Sequence, residues 1–420
     1  MDKLVIYGGK ALKGVVEING AKNAALPIMA ATLLVEGEFI IHNIPLVRDV
    51  FTMAEVLETL GAKVKVEDHT AIIDTRGAVG YEAPYELVKR MRASYYVLGP
   101  LVSRLGRARV SIPGGCAIGA RPVDLHIKGL KELSVNVNLV HGYIEAETER
   151  IVGKEIFLEG VKGPSVGATI NTMMAAVRCE GKTVIEGAAM EPEVVDVANF
   201  LIKMGADIHG AGTRRMEIKG VKRLNPVDYT IIPDRIEAGT YAVSGVITNG
   251  DVLLKNVIPE HMEMVLNKLE ETGAWVERMR DAVRVKGNGT IRSTDIRVSP
   301  YPGFPTDMQA QFMALLSISD GVSVITETIF ENRFMHVPEL IRMGANLTID
   351  GQNVIVRGID SLSGAPVMAS DLRASAALVI AALIATGKTE ISRVYHIDRG
   401  YERVEEKLKG LGADIWRVRE

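Results

Sequence analysis

Two kinds of apolar segment alternate along the chain. The first kind is apolar all round and rich in small residues. It occurs at Ala24–Ala31, Ala93–Leu98, the stretch around Met173, Ala238–Val243, Ala310–Leu315 and Ala374–Val379, and it predicts helices enclosed on every side. The second kind is amphipathic, as at Val50–Leu60 and Glu402–Leu411, and predicts helices with one face in water. Each enclosed segment is followed by a glycine turn and strand residues, as in Glu36-Gly37-Glu38-Phe39-Ile40-Ile41 or Gly387-Lys388-Thr389-Glu390-Ile391. Each amphipathic segment ends in Gly-Ala or its equivalent: Leu60-Gly61-Ala62, Leu133-Ser134-Val135, Met204-Gly205-Ala206, Thr272-Gly273-Ala274, Met343-Gly344-Ala345 and Leu411-Gly412-Ala413. From 61 to 134, 205, 273, 344 and 412 the steps are 73, 71, 68, 71 and 68, so six units of about 70 residues account for the 420. A helix that closes in the left-handed conformation does so most cheaply without a Cβ. The second unit departs from this rule, with Ser134 in the glycine's place.

The implied fold is α/β, with helices inside and sheets outside. Lead-ins at residues 15–23 and 229–235 divide the six units into two sets of three. The expected domains are 22–232, and 1–21 together with 233–420, with crossovers near 21 and 232 and the site in the cleft that they form. The N-terminal strand is free to join either half.

Composition narrows the function classes. A net charge of −3 with 24% charged residues argues against a protein that coats nucleic acid or an anionic membrane. The richest apolar run, Ala374–Ala385, is about half of a membrane span, and the start lacks the apolar core of a signal peptide. The expectation is a cytoplasmic protein. Two cysteines, Cys116 and Cys179, form no disulfide framework and no CxxC pair. Cys179 sits in Thr169–Cys179, an apolar stretch that looks helical, and reads as a packed core thiol. Gly181-Lys182-Thr183 and Gly387-Lys388-Thr389 lack the earlier glycine of a phosphate-binding loop and read as turns. The eight histidines show no metal spacing, and His126, His336 and His396 read as structural.

The chemistry concentrates at junctions before helices. Pro113-Gly114-Gly115-Cys116-Ala117-Ile118-Gly119-Ala120-Arg121-Pro122 has prolines at its rims, glycines within and one thiol, the composition of a loop with fixed anchors and a free interior. Arg121 favours the thiolate if the loop folds back. Other unusual strings are Asn19–Asn23, Met91–Ser94, Ser165–Thr169, Pro305–Phe312, Phe330–Phe334, Asp371–Ser375 and Asp398–Glu402. They bring Lys22, Arg92, Arg121, Arg333, Arg373 and Arg399 to places where helix N-termini present N–H groups and a positive dipole end, suited to anions.

On these strings the sequence resembles the UDP-N-acetylglucosamine 1-carboxyvinyltransferase family of enolpyruvyl transferases over essentially the whole chain. The cysteine loop, Pro305–Phe312 and Asp371–Ser375 carry most of the resemblance. It implies a two-domain inside-out α/β barrel, each domain a threefold repeat. It also implies transfer of the enolpyruvyl group of phosphoenolpyruvate to the 3-hydroxyl of UDP-N-acetylglucosamine, the first committed step of peptidoglycan precursor synthesis, with no metal or organic cofactor. By the same resemblance Cys116 is the proton donor, forms a thioketal with phosphoenolpyruvate, and is the target of epoxide phosphonates of the fosfomycin type. Asp307 holds or deprotonates the sugar hydroxyl. Lys22, Arg121 and Arg399 clamp phosphoenolpyruvate, with Asn23 beside Lys22, and Arg333, Arg373 and Asp371 complete a polar wall. The nucleotide sugar is expected at Arg92, at Arg121-Pro122-Val123-Asp124-Leu125, at Lys162, at Ser165-Val166-Gly167, and at Asp307 and Ile329. Lys162-Gly163-Pro164 does not match every version of the family. The implied partners are these small molecules alone, with no nucleic acid and no membrane insertion, in a monomer or weak homo-oligomer. A shikimate-pathway enolpyruvyl transferase fits less well because it lacks the thiol loop. An RNA 3′-phosphate cyclase would need a more basic face, and a nucleotide-sugar sensor would not need every catalytic residue type.

Overall fold

The computed structural model describes residues 2–112 and 123–419. Six central helices, α1 to α6, occupy the predicted enclosed positions: Lys22–Ala31, Leu98–Leu105, Val166–Ala176, Arg235–Ile247, Gln309–Leu316 and Leu372–Ala382. All eleven residues of α6 are buried, and a fully buried leucine, isoleucine or valine contributes about 1.5–3 kcal/mol. The second position differs in detail from the sequence pattern. Residues Arg92–Val97 form a 3₁₀ turn and α2 begins afresh at Leu98. Pro100 has no N–H to give the Tyr96 carbonyl, so a continuous α-helix through 93–98 would lack a bond where the two segments meet.

The amphipathic partners are Arg48–Thr59, Asp124–Glu132, Pro192–Met204, Glu263–Glu271, Val337–Arg342 and Val404–Gly410. At their ends Gly61, Gly205, Gly273, Gly344 and Gly412 have φ of 97°, 110°, 94°, 97° and 100°. Ser134 adopts the same conformation with φ 68°. The repeat therefore keeps its backbone geometry even where the glycine is missing, at a cost of about 1–2 kcal/mol for the left-handed serine.

Six four-stranded sheets surround the helices, and a two-stranded ribbon joins Glu159–Gly160 to Gly163–Pro164. Among the described residues the sheets stay open and none closes into a strand barrel. The third sheet shows the plan: Glu155–Phe157 runs parallel to Lys182–Glu186, followed by Arg215–Lys219 and Asp207–His209, both antiparallel to their neighbours. The plan is completed by distant strands at three points. Asp228–Thr230 is the parallel edge beside Glu38–His42, and Lys13–Glu17 is the parallel edge beside Asp251–Lys255. Asp2–Tyr7 lies between Lys388–Ser392 and Asp414–Arg419.

The described residues make two compact units. The first comprises 20–112 and 123–232, and the second comprises 2–19 and 233–419. Each has its own hydrophobic core. In the first, α2 packs on α3; in the second, α4, α5 and α6 pack on one another. Cys179 is buried in the first core, as expected, but just past the end of α3, with Sγ 3.5 Å from Thr183 Oγ1.

Candidate active site

In the second unit the chemistry gathers at the entrances to α5 and α6. A single 3₁₀ turn, Thr306–Met308, leads into α5 and carries Asp307. Arg333 Nη2 donates to Asp307 Oδ1 at 2.7 Å, and Arg373 Nη2 donates to Oδ2 at 2.8 Å. Both arginines are buried. Burial alone would raise the Asp307 pKa, but the charges of Arg373 and Arg333 and their hydrogen bonds outweigh it and hold the carboxyl well below its usual range. Burial works against the Arg373 cation too, and the Asp307 charge reverses that, so its pKa rises. A second guanidinium nitrogen of Arg373 reaches Tyr401 Oη at 3.1 Å, and Tyr401 meets Thr240 Oγ1 at 2.8 Å. Gln311 Nε2 donates to the Asp307 carbonyl at 2.8 Å.

Asp371 caps α6, its Oδ1 accepting from the N–H groups of Arg373 and Ala374 at 2.9 and 3.0 Å. His336 is fully enclosed, and burial depresses it to about 4 against the opposing charge of Asp371, with Arg333 adding to the depression. His396 is lowered by burial and by Arg399, with Asp371 opposing, so Asp371 and Arg399 act on one imidazole. Arg399 ends the 3₁₀ turn Val394–Arg399. Ile329 follows the strand Val322–Thr326, and its N–H donates to Glu327 Oε1 at 2.9 Å.

In the first unit Lys22 opens α1 and is buried, with Nζ 3.2 Å from Asp49 Oδ2. Asn23 is the next residue of that helix. Asp49 lies in the first turn of Arg48–Thr59, which packs on α1. Arg92 begins the 3₁₀ turn before α2, with its guanidinium 5.9 Å from the Tyr95 ring centre. Val123 precedes the helix Asp124–Glu132, whose first residues are Asp124 and Leu125 and which packs on α3. Ser165 caps α3, its Oγ accepting from Ala168 N–H at 3.3 Å, and Val166 and Gly167 follow. A Cβ on Gly167 would lie 2.9 Å from His126 Cε1, so only glycine fits there without displacing the ring. His126 Nδ1 is 3.0 Å from Asn171 Nδ2, and burial with the nearby Arg92 charge lowers its pKa to about 4. Lys162 sits at the turn of the ribbon, between Gly160 and Gly163.

The structure thus joins Asp307, Arg333 and Arg373 in one cluster, and sets Val123–Leu125 at the start of a helix packed against the one whose start is Ser165–Gly167. Cys116, Arg121 and Pro122 lie outside the described residues. Sequence reasoning missed Asp49 and Glu327. An acid in the first turn of an amphipathic helix reads as a complement to the helix dipole, and nothing in the pattern links Asp49 to a lysine 27 positions earlier. Among the described residues there is no group of three or more His, Cys, Asp or Glu side chains arranged to hold a metal ion, and no helix long and apolar enough to cross a membrane.

A family model described as EPSP synthase (3-phosphoshikimate 1-carboxyvinyltransferase) matches residues 6–408. The UDP-N-acetylglucosamine 1-carboxyvinyltransferase of Desulfatibacillum aliphaticivorans is 54% identical over 419 residues, covering 100% of both chains. That of Geotalea uraniireducens (strain Rf4) is 54% identical over 420 residues with the same coverage. The crystal structure of the enolpyruvyl transferase NikO from Streptomyces tendae is similar at a TM-score of 0.89 and 27% identity, covering 99% of each chain. EPSP synthase from Acinetobacter baumannii, at 18% identity and a TM-score of 0.78 over 100% of each chain, shares the fold. On the family match and the identity along its whole length, the chain belongs to the EPSP synthase family of enolpyruvyl transferases, in the branch of the UDP-N-acetylglucosamine 1-carboxyvinyltransferases.

Proposed function

We propose that this protein transfers the enolpyruvyl group of phosphoenolpyruvate to the 3-hydroxyl of UDP-N-acetylglucosamine and releases phosphate. The observation that carries the reading is the 54% identity to enzymes of that name across the full chain. In a bacterial cell this reaction belongs to the cytoplasm and to peptidoglycan precursor synthesis.

The chemistry is an addition followed by an elimination. The 3-hydroxyl oxygen bonds to C2 of phosphoenolpyruvate as C3 takes a proton, giving a tetrahedral adduct. C3 then returns a proton to the group that supplied it, the bond from C2 to the phosphate oxygen breaks, and phosphate leaves with that electron pair and the proton that the hydroxyl gave up as the double bond returns. We assign the C3 proton to the Cys116 thiol. A free thiol has a pKa near ~8.5, and a positioned acid contributes about 10²- to 10⁴-fold.

Asp307 receives the sugar hydroxyl. Held between two guanidinium groups it stays ionised and is a weak base, so in the resting cluster its part is to orient the hydroxyl. Proton removal requires one of the arginines to loosen. Lys22, Arg121 and Arg399 meet the phosphate and carboxylate of phosphoenolpyruvate, each charge-assisted bond contributing about 1.5–3 kcal/mol against desolvation. Asn23 supports Lys22, and Asp371 stands at the same wall as Arg373. Arg92, Pro122–Leu125, Lys162, Ser165–Gly167 and Ile329 take the nucleotide sugar.

The reading is tested by binding. Isothermal titration with UDP-N-acetylglucosamine, UDP-glucose and shikimate 3-phosphate should show heat for the first and none for the last. Saturable binding of shikimate 3-phosphate alone would contradict it.

A further inference from the structure

A buried acid that the reaction scheme does not use lies behind the Asp307 cluster. Glu327 is 1% exposed. Its Oε1 accepts from the N–H groups of Ile329 and Phe330 at 2.9 and 3.1 Å. Its Oε2 accepts from Thr306 Oγ1 at 2.7 Å. The Thr306 oxygen in turn accepts from Arg333 Nη1 at 2.8 Å, while the other arm of Arg333 holds Asp307 at 2.7 Å.

The direction of each bond is fixed by chemistry. The two N–H groups and the guanidinium only donate. Thr306 has one proton, and because its oxygen already accepts from Arg333 that proton points to Glu327. The acid therefore sets the rotor of Thr306, Thr306 sets one arm of Arg333, and Arg333 sets the Asp307 carboxyl. Through its other oxygen the same acid shapes the backbone turn that presents Ile329.

We infer that Glu327 is a positioning residue for the transfer reaction, fixing Asp307 through Thr306 and Arg333 and fixing the Ile329 turn independently. Thr306 is the link in the first of these arms. The inference rests on the proposed transferase reading, because Asp307 and Ile329 have their roles within it.

Two substitutions cut the first arm and spare the second. Thr306→Val removes the hydroxyl and keeps the shape. Glu327→Gln keeps one carbonyl oxygen for the two N–H groups, while its amide turns to Thr306 and cannot accept the hydroxyl proton. A misplacement of ~1 Å in such a site costs ~10²-fold. Each variant should therefore lose roughly 10- to 100-fold in kcat, with a much smaller change in the KM for UDP-N-acetylglucosamine. The double variant should lose no more than the worse single one, because both changes break one chain. Thr306→Ser, which restores the hydroxyl, should recover most of kcat. Glu327→Ala cuts both arms and should also raise the KM for the nucleotide sugar.

The assay is phosphate release, with thermal unfolding recorded for every variant. Turnover by the wild-type protein is measured first, and its absence would defeat the transferase reading itself. With wild-type turnover present, a folded Thr306→Val protein with unchanged kcat would overturn the inference. So would losses that multiply in the double variant, or a Thr306→Ser protein as slow as Thr306→Val.

Discussion

The two units treat the entrances of their central helices in opposite ways. In the second, an aspartate stands at each: Asp234 accepts from Ile236 and Glu237 N–H at the start of α4, Asp371 caps α6, and Asp307 precedes α5. In the first no acid caps a central helix. Neither Ala21 nor Val97 makes a side-chain cap, Ser165 is a neutral one, and Lys22 and Arg92 stand at or before these ends. A helix N-terminus behaves as about half a positive charge. The second unit answers that charge with its own carboxylates and then balances Asp307 with buried arginines. The first meets it with no carboxylate, only with the neutral Ser165 at α3. The expectation that these junctions present free N–H groups to anions fails at α4 and α6, where Asp234 and Asp371 fill them, and in part at α3, where Ser165 takes one.

This contrast can be broken most sharply at Asp307. Its removal in Asp307→Ala strands two buried guanidinium groups, a loss of about 3–5 kcal/mol, and chemical denaturation should show it. A smaller loss than that from Ser165→Ala would mean that the second unit does not depend on its acids.

Acid lability should be common to both units. His126 and His336, one in each, are held to about 4 by burial. Below the unfolded pKa near ~6.5 the unfolded chain takes up protons that the folded imidazoles refuse. Stability is thus complete above about 6.5 and falls as pH drops toward 4, by about 3 kcal/mol for each histidine at full titration. Denaturation midpoints across that range should show the fall. His126→Gln should reduce its slope, and an unchanged slope would mean that the imidazole is wet.

Smaller effects refine the picture. Asp234→Ala removes a helix cap and should cost about 0.5–2 kcal/mol. Ser134→Gly relieves a left-handed serine and should stabilise by about 0.5–1 kcal/mol. A destabilised Ser134→Gly protein would show that the serine side chain is needed there.

Much of this was legible in the chain. Spacing alone revealed six units, because a left-handed helix end and an all-apolar helix leave local marks. The strand exchanges were not, since nothing local in Asp2–Tyr7 says that it fits between Lys388–Ser392 and Asp414–Arg419. The cationic residues of the candidate site announced themselves through the strings around Lys22, Arg333, Arg373 and Arg399. Asp307, the counter-ion of Arg333 and Arg373, was marked by its string as well, but Asp49, the partner of Lys22, and Glu327, the partner of Thr306, carry no local mark. Pairing across long sequence distances is decided by packing, which no local pattern records.

The central claim is most directly tested by phosphate release from phosphoenolpyruvate, measured with UDP-N-acetylglucosamine, with shikimate 3-phosphate and with neither, for the wild-type protein and for Cys116→Ser. The account predicts release with the nucleotide sugar only, and a large loss in the variant. Release with shikimate 3-phosphate, or with no acceptor at all, would contradict it.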